Sequence, residues 1–302
     1  MNEQQKPSVV MRRLLSEPGP IVVPCAFDCV SARAVEMAGL PAVMHGGFNT
    51  SASMLGLADV GTITQSEMMY AAKNMAQAVD IPVLCDVDDG FGKQLNVART
   101  VTEAIRAGCA GMYMEDQVLP KRCPSLGGGG VISTEEMIGK LKAAQRVTAD
   151  LDPDFVTIAR THASLAIDFE EGIQRGIAYA QAGADLIWVD LGYDDSVHEE
   201  LQAIVERIAP IKPVVANMTE NVGRPLLTTN ELHKMGFKLI TYPLTLILTA
   251  AEAMTRVMQE LAVQGTTRAS VNNMMAVKDF RPIIKMEAIH EFERALAEEE
   301  TQ

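Results

Sequence analysis

The sequence predicts an α/β fold, a (β/α)8 TIM-type barrel with extra C-terminal helices. Short apolar runs typical of buried strands recur eight times, and an amphipathic segment follows each of them. A glycine stands where several of these helices end, at Gly39, Gly108, Gly183 and Gly236, as expected for a left-handed helix end. Eight strand–helix units in 302 residues favour a closed barrel over a doubly wound sheet.

The predicted elements alternate along the chain. The strands are expected at residues 20–26, 42–46, 82–86, 110–115, 155–161, 184–190, 213–217 and 238–242. The helices are expected at residues 31–38, 65–78, 95–107, 134–148, 169–182, 197–208, 229–235 and about 245–261. No linker or composition shift marks a second domain, so we expect one barrel domain over residues 1–302 with a helical tail from about residue 270.

Composition limits the function classes. A formal net charge of −13, without clusters of Lys or Arg, argues against binding to nucleic acid or to an anionic membrane. No apolar run approaches the roughly 20 residues that span a bilayer, and the polar N-terminus does not resemble a signal peptide. The five cysteines have no metal-finger spacing. We therefore expect a cytoplasmic protein with reduced thiols.

Polar side chains follow the predicted strands. Active sites of such barrels lie at the C-terminal ends of the strands. The strand-end residues are Asp28, His45, Gly46, Gly47, Asp86, Asp88, Glu115, Arg160, His162, Asp190, Asn217, Thr219, Glu220 and Tyr242. Loops are polar in general, but ionisable or amide groups after so many strands indicate an active site at this end.

The acidic segment at residues 85–92, CDVDDGFG, is the strongest single motif. Asp86, Asp88 and Asp89 stand directly after a predicted buried strand, where unpartnered carboxylates are costly. Oxygen-rich groups of this kind suit a hard cation such as Mg2+, with Mn2+ as the alternative. A solvated acidic turn is the competing interpretation.

The ordered motifs resemble a known family. They are DVDDGFG at 86–92, NVARTV at 96–101, EDQ at 115–117, KRC at 121–123, ART at 159–161 and ANMTE at 216–220. From about Phe27 to Thr266 the chain resembles the isocitrate lyase/phosphoenolpyruvate mutase superfamily. Within it, the chain is most similar to the 2-methylisocitrate lyase and 2,3-dimethylmalate lyase branch. The resemblance implies a homotetramer whose C-terminal tail is exchanged between subunits.

The same resemblance implies a reaction: Mg2+-dependent retro-aldol cleavage of a 2-hydroxy di- or tricarboxylate, such as 2-methylisocitrate or 2,3-dimethylmalate. The products are pyruvate or another 2-oxo acid and a carboxylate. The implied metal ligands are Asp86, Asp88 and Glu115, directly or through water. The implied catalytic residues are Cys123, as general acid, Arg160 and Glu115. The implied substrate-binding residues are His45, Gly46, Gly47, Asp86, Arg160, Asp190, Asn217 and Thr219.

Several of these residues have ordinary structural interpretations. Cys123 also fits an inert loop thiol, Arg160 a partner of a barrel carboxylate, and Asn217 a turn-forming amide. Trp188 fits packing better than substrate contact. The other cysteines and most methionines fit the core.

The chain departs from the branch at four places. Pro124-Ser125 follows the KRC motif where the branch has Gly-His, and four glycines at 127–130 follow. His45, with Val43 before it, His162 and Asp190 replace the usual Ser, Tyr, Asp and Glu. These changes predict an altered substrate or an altered route of proton transfer.

Other functions stay open at this point. An oxaloacetate decarboxylase or hydrolase shares the enolate-stabilising site. A carbon–phosphorus mutase or hydrolase fits less well, because those branches have Lys-x-Asn-Ser where this chain has Lys121-Arg122-Cys123. An inactive barrel that only binds a carboxylate is the non-enzyme alternative.

Overall fold

The computed structural model describes residues 5–122, 129–192, 197–220 and 226–299. The chain divides into two compact units, residues 1–246 and 247–302. The expectation of a single domain with an exchanged tail stays a prediction. None of the described helices is both long enough and apolar enough to cross a membrane.

The first unit contains the strands. They are β1 Ile21–Val22, β2 Cys25–Ala26, β3 Val43–His45, β4 Val83–Asp86, β5 Gly111–Glu115, β6 Val156–Thr161, β7 Leu186–Val189, β8 Val215–Asn217 and β9 Leu239–Thr241. The helices of this unit are α1 Pro7–Ser16, α2 Cys29–Met37, α3 Gly47–Thr50, α4 Gln65–Ala78, α5 Gln94–Arg106, α6 Thr134–Leu151, α7 Ala163–Ala166, α8 Phe169–Gln181, α9 Val197–Ile208 and α10 Thr229–Met235.

The second unit is helical in its described part. The helix α11, Thr245–Gln264, begins at the end of the first unit, and its residues from 247 onward belong to the second unit. A short 3-10 turn at Val271–Asn273, α12 Val277–Phe280 and α13 Met286–Glu299 follow. The predicted helical tail is therefore interrupted between Phe280 and Met286.

The strands pair in parallel around a barrel. Six follow the order β2-β3-β4-β5-β6-β7, and three follow β1-β9-β8. A parallel bridge from Ile187 to Val214 joins β7 to the start of β8. On the other side, the Cys25 N–H donates to the Tyr242 carbonyl at 3.1 Å. Since Pro24 has no N–H, β1 and β2 are two parts of one barrel strand, and the predicted (β/α)8 fold is confirmed.

Alternation along the strands decides which side chains face the barrel interior. One buried cluster consists almost wholly of strand residues, including Met44, Leu84, Tyr113, Ile158, Trp188, Val215 and Leu239. A second cluster joins the intervening strand residues, such as Cys85 and Ala159, to the helices. Because side chains alternate with period two, the residues two positions beyond the inward ones continue the interior face at the C-terminal ends. These residues are Asp86, Glu115, Arg160, Asp190 and Asn217.

The helix α1 was not predicted. Pro7 at its first position and the buried Met11 mark it as a helix that packs on the barrel. Arg12 donates from Nη1 and Nη2 to both carboxylate oxygens of Asp185, at 2.6 and 2.9 Å. Asp185 in turn accepts the Thr157 N–H at 2.8 Å, so α1 is attached where β6 and β7 begin. This leaves the opposite end of the barrel open for the site.

Candidate active site

A pocket lies at the C-terminal ends of the strands. Most of the described residues predicted to form the site line it: Gly46, Gly47, Asp86, Glu115, Arg160, Asp190, Asn217 and Thr219. Asp59 and Tyr113 also line it, and the sequence analysis did not single them out. Lys121 and Trp188 line it too, although the sequence analysis did not place them among the site residues. Cys123 lies outside the described residues.

Backbone N–H groups hold Asp86. Its Oδ2 accepts the Gly47 N–H at 2.8 Å and its Oδ1 accepts the Asp88 N–H at 2.9 Å. A Cβ atom on Gly47 would lie 2.9 Å from Asp86 Oδ2 and 3.1 Å from Asp88 Oδ1. Only glycine therefore allows the backbone to approach both carboxylates. The Gly47 N–H, which we expected to bind a substrate carboxylate, serves Asp86 in the structure.

Lys121 is the cation among the buried carboxylates. Its Nζ lies 3.0 Å from Asp59 Oδ1, pairs with Asp88, and lies 4.0 Å from Glu115 Oε1. The side chain is only 3% exposed. Burial acts to lower the pKa of Lys121, but the surrounding carboxylates outweigh it and raise that pKa well above its ordinary value. Lys121 is therefore charged in the folded protein.

Arg160 joins two carboxylates of the pocket wall. Its Nε donates to Asp190 Oδ2 at 2.7 Å, and its Nη1 lies 3.3 Å from Glu115 Oε2. The guanidinium carbon lies 4.3 Å above the centre of the Trp188 ring, a cation–π contact. The Trp188 Nε1–H donates to Asp190 Oδ1 at 2.9 Å. Trp188 thus packs in the barrel and also orients two site residues.

Asn217 carries an unpartnered acceptor. Its Oδ1 is buried and has no hydrogen-bond partner among the described residues, although the residue lines the pocket. Buried polar atoms normally have a partner, so this atom suits a ligand hydroxyl or a bound water. Thr219, two residues further, also lines the pocket.

His45 does not line the pocket and is fully buried. Its Nε2 lies 2.8 Å from Thr50 Oγ1, and that hydroxyl donates to the Gly46 carbonyl at 2.8 Å. Because the hydroxyl has one proton, the Nε2–H is the donor and Nδ1 is left without a partner. The contact supports the turn at Gly46 and Gly47. Direct contact of His45 with substrate stays a prediction.

The buried His45 predicts a pH dependence of stability. Burial lowers its pKa to about 4, whereas an unfolded histidine titrates near 6.5. Between these values the unfolded chain binds a proton that the folded chain does not, so stability is lost as pH falls from about 6.5 to 4. The expected contribution is about 3 kcal/mol. Urea unfolding at several pH values should show that His45→Gln loses this slope.

The exposed His198 provides the control for that measurement. The His198→Gln variant should keep the slope of the parent protein, because this imidazole stays in contact with water in the folded protein. Equal slopes for the parent and His45→Gln would contradict the assignment.

Asp116, next to Glu115, points away from the pocket. It accepts hydrogen bonds from Thr161 Oγ1 at 2.8 Å, from the His162 N–H at 2.9 Å and from the Tyr179 hydroxyl at 2.8 Å. It thereby fixes the end of β6. Gln117 stabilises the next turn through two hydrogen bonds of its side chain. Its Oε1 accepts the Arg122 N–H at 2.8 Å, and its Nε2 donates to the Arg122 carbonyl at 2.9 Å.

The residues present fit a hard divalent cation. Five carboxylates, those of Asp59, Asp86, Asp88, Glu115 and Asp190, share this region with two cations, Lys121 and Arg160. In the described part of the chain no three acidic, histidine or cysteine groups converge tightly enough to bind one metal directly. Mg2+ needs only one or two direct carboxylates and keeps several waters. The excess of negative charge in this region favours a Mg2+ ion that is bound by one or two carboxylates and keeps several of its waters.

Comparisons with known proteins agree with this site. The family model described as "Phosphoenolpyruvate phosphomutase" matches residues 11–262. The chain is 38% identical over 287 residues to the 2,3-dimethylmalate lyase of Eubacterium barkeri, which covers 95% of this chain and 97% of that protein. A solved structure of oxaloacetate acetylhydrolase with the inhibitor 3,3-difluorooxalacetate matches with a TM-score of 0.89 and 31% identity, over 96% of this chain and 97% of that one.

A further solved structure has magnesium in it. Phosphonopyruvate hydrolase in complex with oxalate and Mg2+ matches with a TM-score of 0.85 and 27% identity, over 96% of this chain and 99% of that one. The family model and the first relative each match most of the chain, which confirms the resemblance drawn from its motifs. The chain belongs to the phosphoenolpyruvate mutase/isocitrate lyase superfamily.

Proposed function

We propose that this protein is a Mg2+-dependent carbon–carbon lyase that cleaves a 2-hydroxy dicarboxylate or tricarboxylate by a retro-aldol reaction. The observation that carries the proposal is the buried, acid-rich pocket in which Arg160 is held between Glu115 and Asp190 and over Trp188. The identity to 2,3-dimethylmalate lyase supports a substrate of that class. Asp86, Asp88 and Glu115 would hold the metal, directly or through water.

The reaction divides one carbon–carbon bond. The 2-hydroxyl gives its proton to a base, and the bond breaks to leave the carbonyl group of the 2-oxo acid. The electron pair of that bond passes to the carboxylate fragment as an enediolate, which then takes up a proton at carbon. A bound Mg2+ would supply Lewis-acid stabilisation of the negative charge on the oxygen of the 2-hydroxyl. Arg160 supplies a fixed positive charge for the enediolate, and such preorganised charge is a large contributor to catalysis.

The remaining roles follow from the pocket. Asn217 and Thr219 bind the distal carboxylate of the substrate, with the Asn217 amide nitrogen and the Thr219 hydroxyl as the donors. The unpartnered Asn217 Oδ1 accepts from a substrate hydroxyl or a bound water. Gly46, Gly47 and Asp190 also line the pocket. Cys123 is proposed as the general acid because the KRC motif at 121–123 carries that role in the family that the sequence resembles.

A second candidate is hydrolysis or decarboxylation of oxaloacetate. The likeness to oxaloacetate acetylhydrolase favours it, at 31% identity and a TM-score of 0.89. Both reactions pass through a negatively charged enolate, so Arg160 and the metal would serve either. Cleavage of a carbon–phosphorus bond is less favoured, because the KRC motif differs from the Lys-x-Asn-Ser of those branches.

Pyruvate release tests these alternatives. We would assay 2-methylisocitrate, 2,3-dimethylmalate, citramalate and oxaloacetate in parallel, with Mg2+, with Mn2+ and with EDTA. Release from one of the first three that EDTA abolishes supports the lyase. Release from oxaloacetate alone supports the second candidate and removes the need for Cys123. Hydrolysis of oxaloacetate gives oxalate and acetate instead of pyruvate, so oxalate is measured as well. No pyruvate from any of the four and no oxalate from oxaloacetate would contradict both functions.

We also propose a cytoplasmic homotetramer. Among the described cysteines, Cys25, Cys29, Cys85 and Cys109 are free thiols, which fits a reducing compartment. The tetramer rests on the family resemblance. Light scattering coupled to size-exclusion chromatography would measure the mass, and a monomer mass of 32.7 kDa would contradict the assembly.

A further inference from the structure

His162 lies beside Arg160 and contacts the same two carboxylate oxygens. Its Nε2 lies 2.8 Å from Glu115 Oε2, and its Nδ1 lies 3.1 Å from Asp190 Oδ2 without hydrogen-bond geometry. Arg160 reaches the same Glu115 oxygen at 3.3 Å and the same Asp190 oxygen at 2.7 Å. The imidazole is only 2% exposed and does not line the pocket. It therefore lies behind the residues that line the pocket and contacts two of them, Glu115 and Asp190.

The direction of the His162–Glu115 hydrogen bond follows from the second contact of Glu115 Oε2. The Arg160 guanidinium, which can only donate, lies 3.3 Å from the same oxygen. Oε2 is therefore an acceptor, and the proton of its 2.8 Å contact with His162 lies on Nε2. With Oε2 engaged by two donors, Oε1 is the oxygen on the Lys121 side, 4.0 Å from Nζ.

The position of the imidazole is fixed independently of Glu115. The His162 N–H donates to Asp116 Oδ1 at 2.9 Å, and the preceding Thr161 hydroxyl donates to Asp116 Oδ2 at 2.8 Å. Arg175 also pairs with Asp116, at 3.2 Å, so this buried carboxylate is compensated. His162 thus stands on a rigid support, and its Nε2 is placed before any ligand binds.

Two departures from the family pattern meet at this point. His162 and Asp190 are two of the positions at which the sequence departs from the motifs it resembles, and the two side chains are in contact here. Because the two side chains touch, we interpret the two replacements as a single change in how the Glu115 carboxylate is held.

We propose that His162 is a positioning residue for the lyase reaction. Its Nε2–H holds Glu115 Oε2, so that Oε1 faces the metal site and Arg160 stays extended over Trp188. This inference rests on the proposed function for its kinetic consequences. The orientation of Glu115 toward a metal ion can be measured without turnover.

Two substitutions separate the nitrogens of the ring. The amide nitrogen of glutamine reaches the place of Nε2, whereas that of asparagine reaches only the place of Nδ1. We expect His162→Asn to weaken Mn2+ binding and to lower kcat by about 10–100-fold, as when other supporting partners of metal ligands are lost. His162→Gln should keep both within a few-fold of the parent protein, with KM little changed in either variant.

Mn2+ alone is the probe for binding, measured by the loss of its free electron paramagnetic resonance signal. Urea unfolding compares the stability of the two variants, and the exposed His198→Asn serves as the control for the substitution itself. A difference in Mn2+ affinity between the Asn and Gln variants at similar stability supports the proposal, even if no substrate on the panel is cleaved. In that case only the proposed function fails.

Three results would overturn the inference. The two variants could lose Mn2+ affinity equally, which would mean that Nε2 has no special part. Both could bind Mn2+ like the parent protein, which would mean that Glu115 does not need His162. The parent protein could bind no Mn2+, which would remove the metal site toward which Glu115 is said to be oriented.

Discussion

Asp86→Asn is expected to lower the rate of pyruvate release by roughly 10²–10³-fold at saturating Mg2+, the size of losing one electrostatic contact to the transition state. The substitution keeps the volume of the side chain but removes the charge that faces the pocket. It also sets an amide in contact with two backbone donors, the N–H groups of Gly47 and Asp88. The measurement is kcat with the best substrate, together with Mn2+ affinity.

Asp89 provides the matched control, because it belongs to the same acidic segment and is equally buried. Its Oδ2 pairs with Lys140 Nζ at 3.2 Å, and its backbone carbonyl accepts from the same nitrogen at 2.8 Å. Asp89→Asn should reduce stability but leave kcat within a few-fold of the parent protein. A kcat for Asp86→Asn within threefold of the parent would refute the metal assignment.

Lys121→Met should give the largest loss of stability, about 3–5 kcal/mol in the free energy of unfolding without metal. Removing one member of a buried ion pair leaves the other charge uncompensated. Here the loss would expose Asp59, Asp88 and Glu115 to one another, since all three lie around the ammonium group. Urea unfolding at pH 8 in the presence of EDTA measures the effect.

The exposed Lys73 is the control for that experiment. Lys73→Met should change the unfolding free energy by no more than about 0.5 kcal/mol, as is usual for surface positions. Adding Mg2+ should recover part of the stability of Lys121→Met, because a divalent cation replaces the missing positive charge. A loss below 1 kcal/mol for Lys121→Met would show that the carboxylates do not depend on this lysine.

Periodicity in the sequence accounts for most of the barrel. The predicted segments 65–78, 197–208 and 229–235 coincide with α4, α9 and α10. The boundaries of the other barrel helices and of the strands shift by a few residues. The helices that the sequence analysis did not predict are short or lie near a terminus. The helix α1 packs against distant strands, and the four-residue helices α3 and α7 are too short to show a periodic pattern.

The acidic segment at residues 85–92 shows what the local sequence pattern could not predict, namely the partners of its three aspartates. Asp86, Asp88 and Asp89 look alike in the sequence, but the structure gives them different partners. Asp88 has a positive φ of 46°, which turns the chain between it and its neighbours. Asp88 then meets Lys121, whereas Asp89 meets Lys140. These pairings join residues far apart in the chain, so no local pattern could assign them.

The sequence by itself determined which polar groups stand at the strand ends, because a strand's period of two fixes which side chains point inward. Asp86, Glu115, Arg160 and Asp190 follow from that rule and from the family motifs. Only the tertiary structure decided that Lys121 reaches Asp59, 62 residues away, and that His162 contacts Glu115, 47 residues away. Such contacts depend on how the closed barrel brings separate strand ends together. A local pattern in the sequence does not give the distance between residues on different strands.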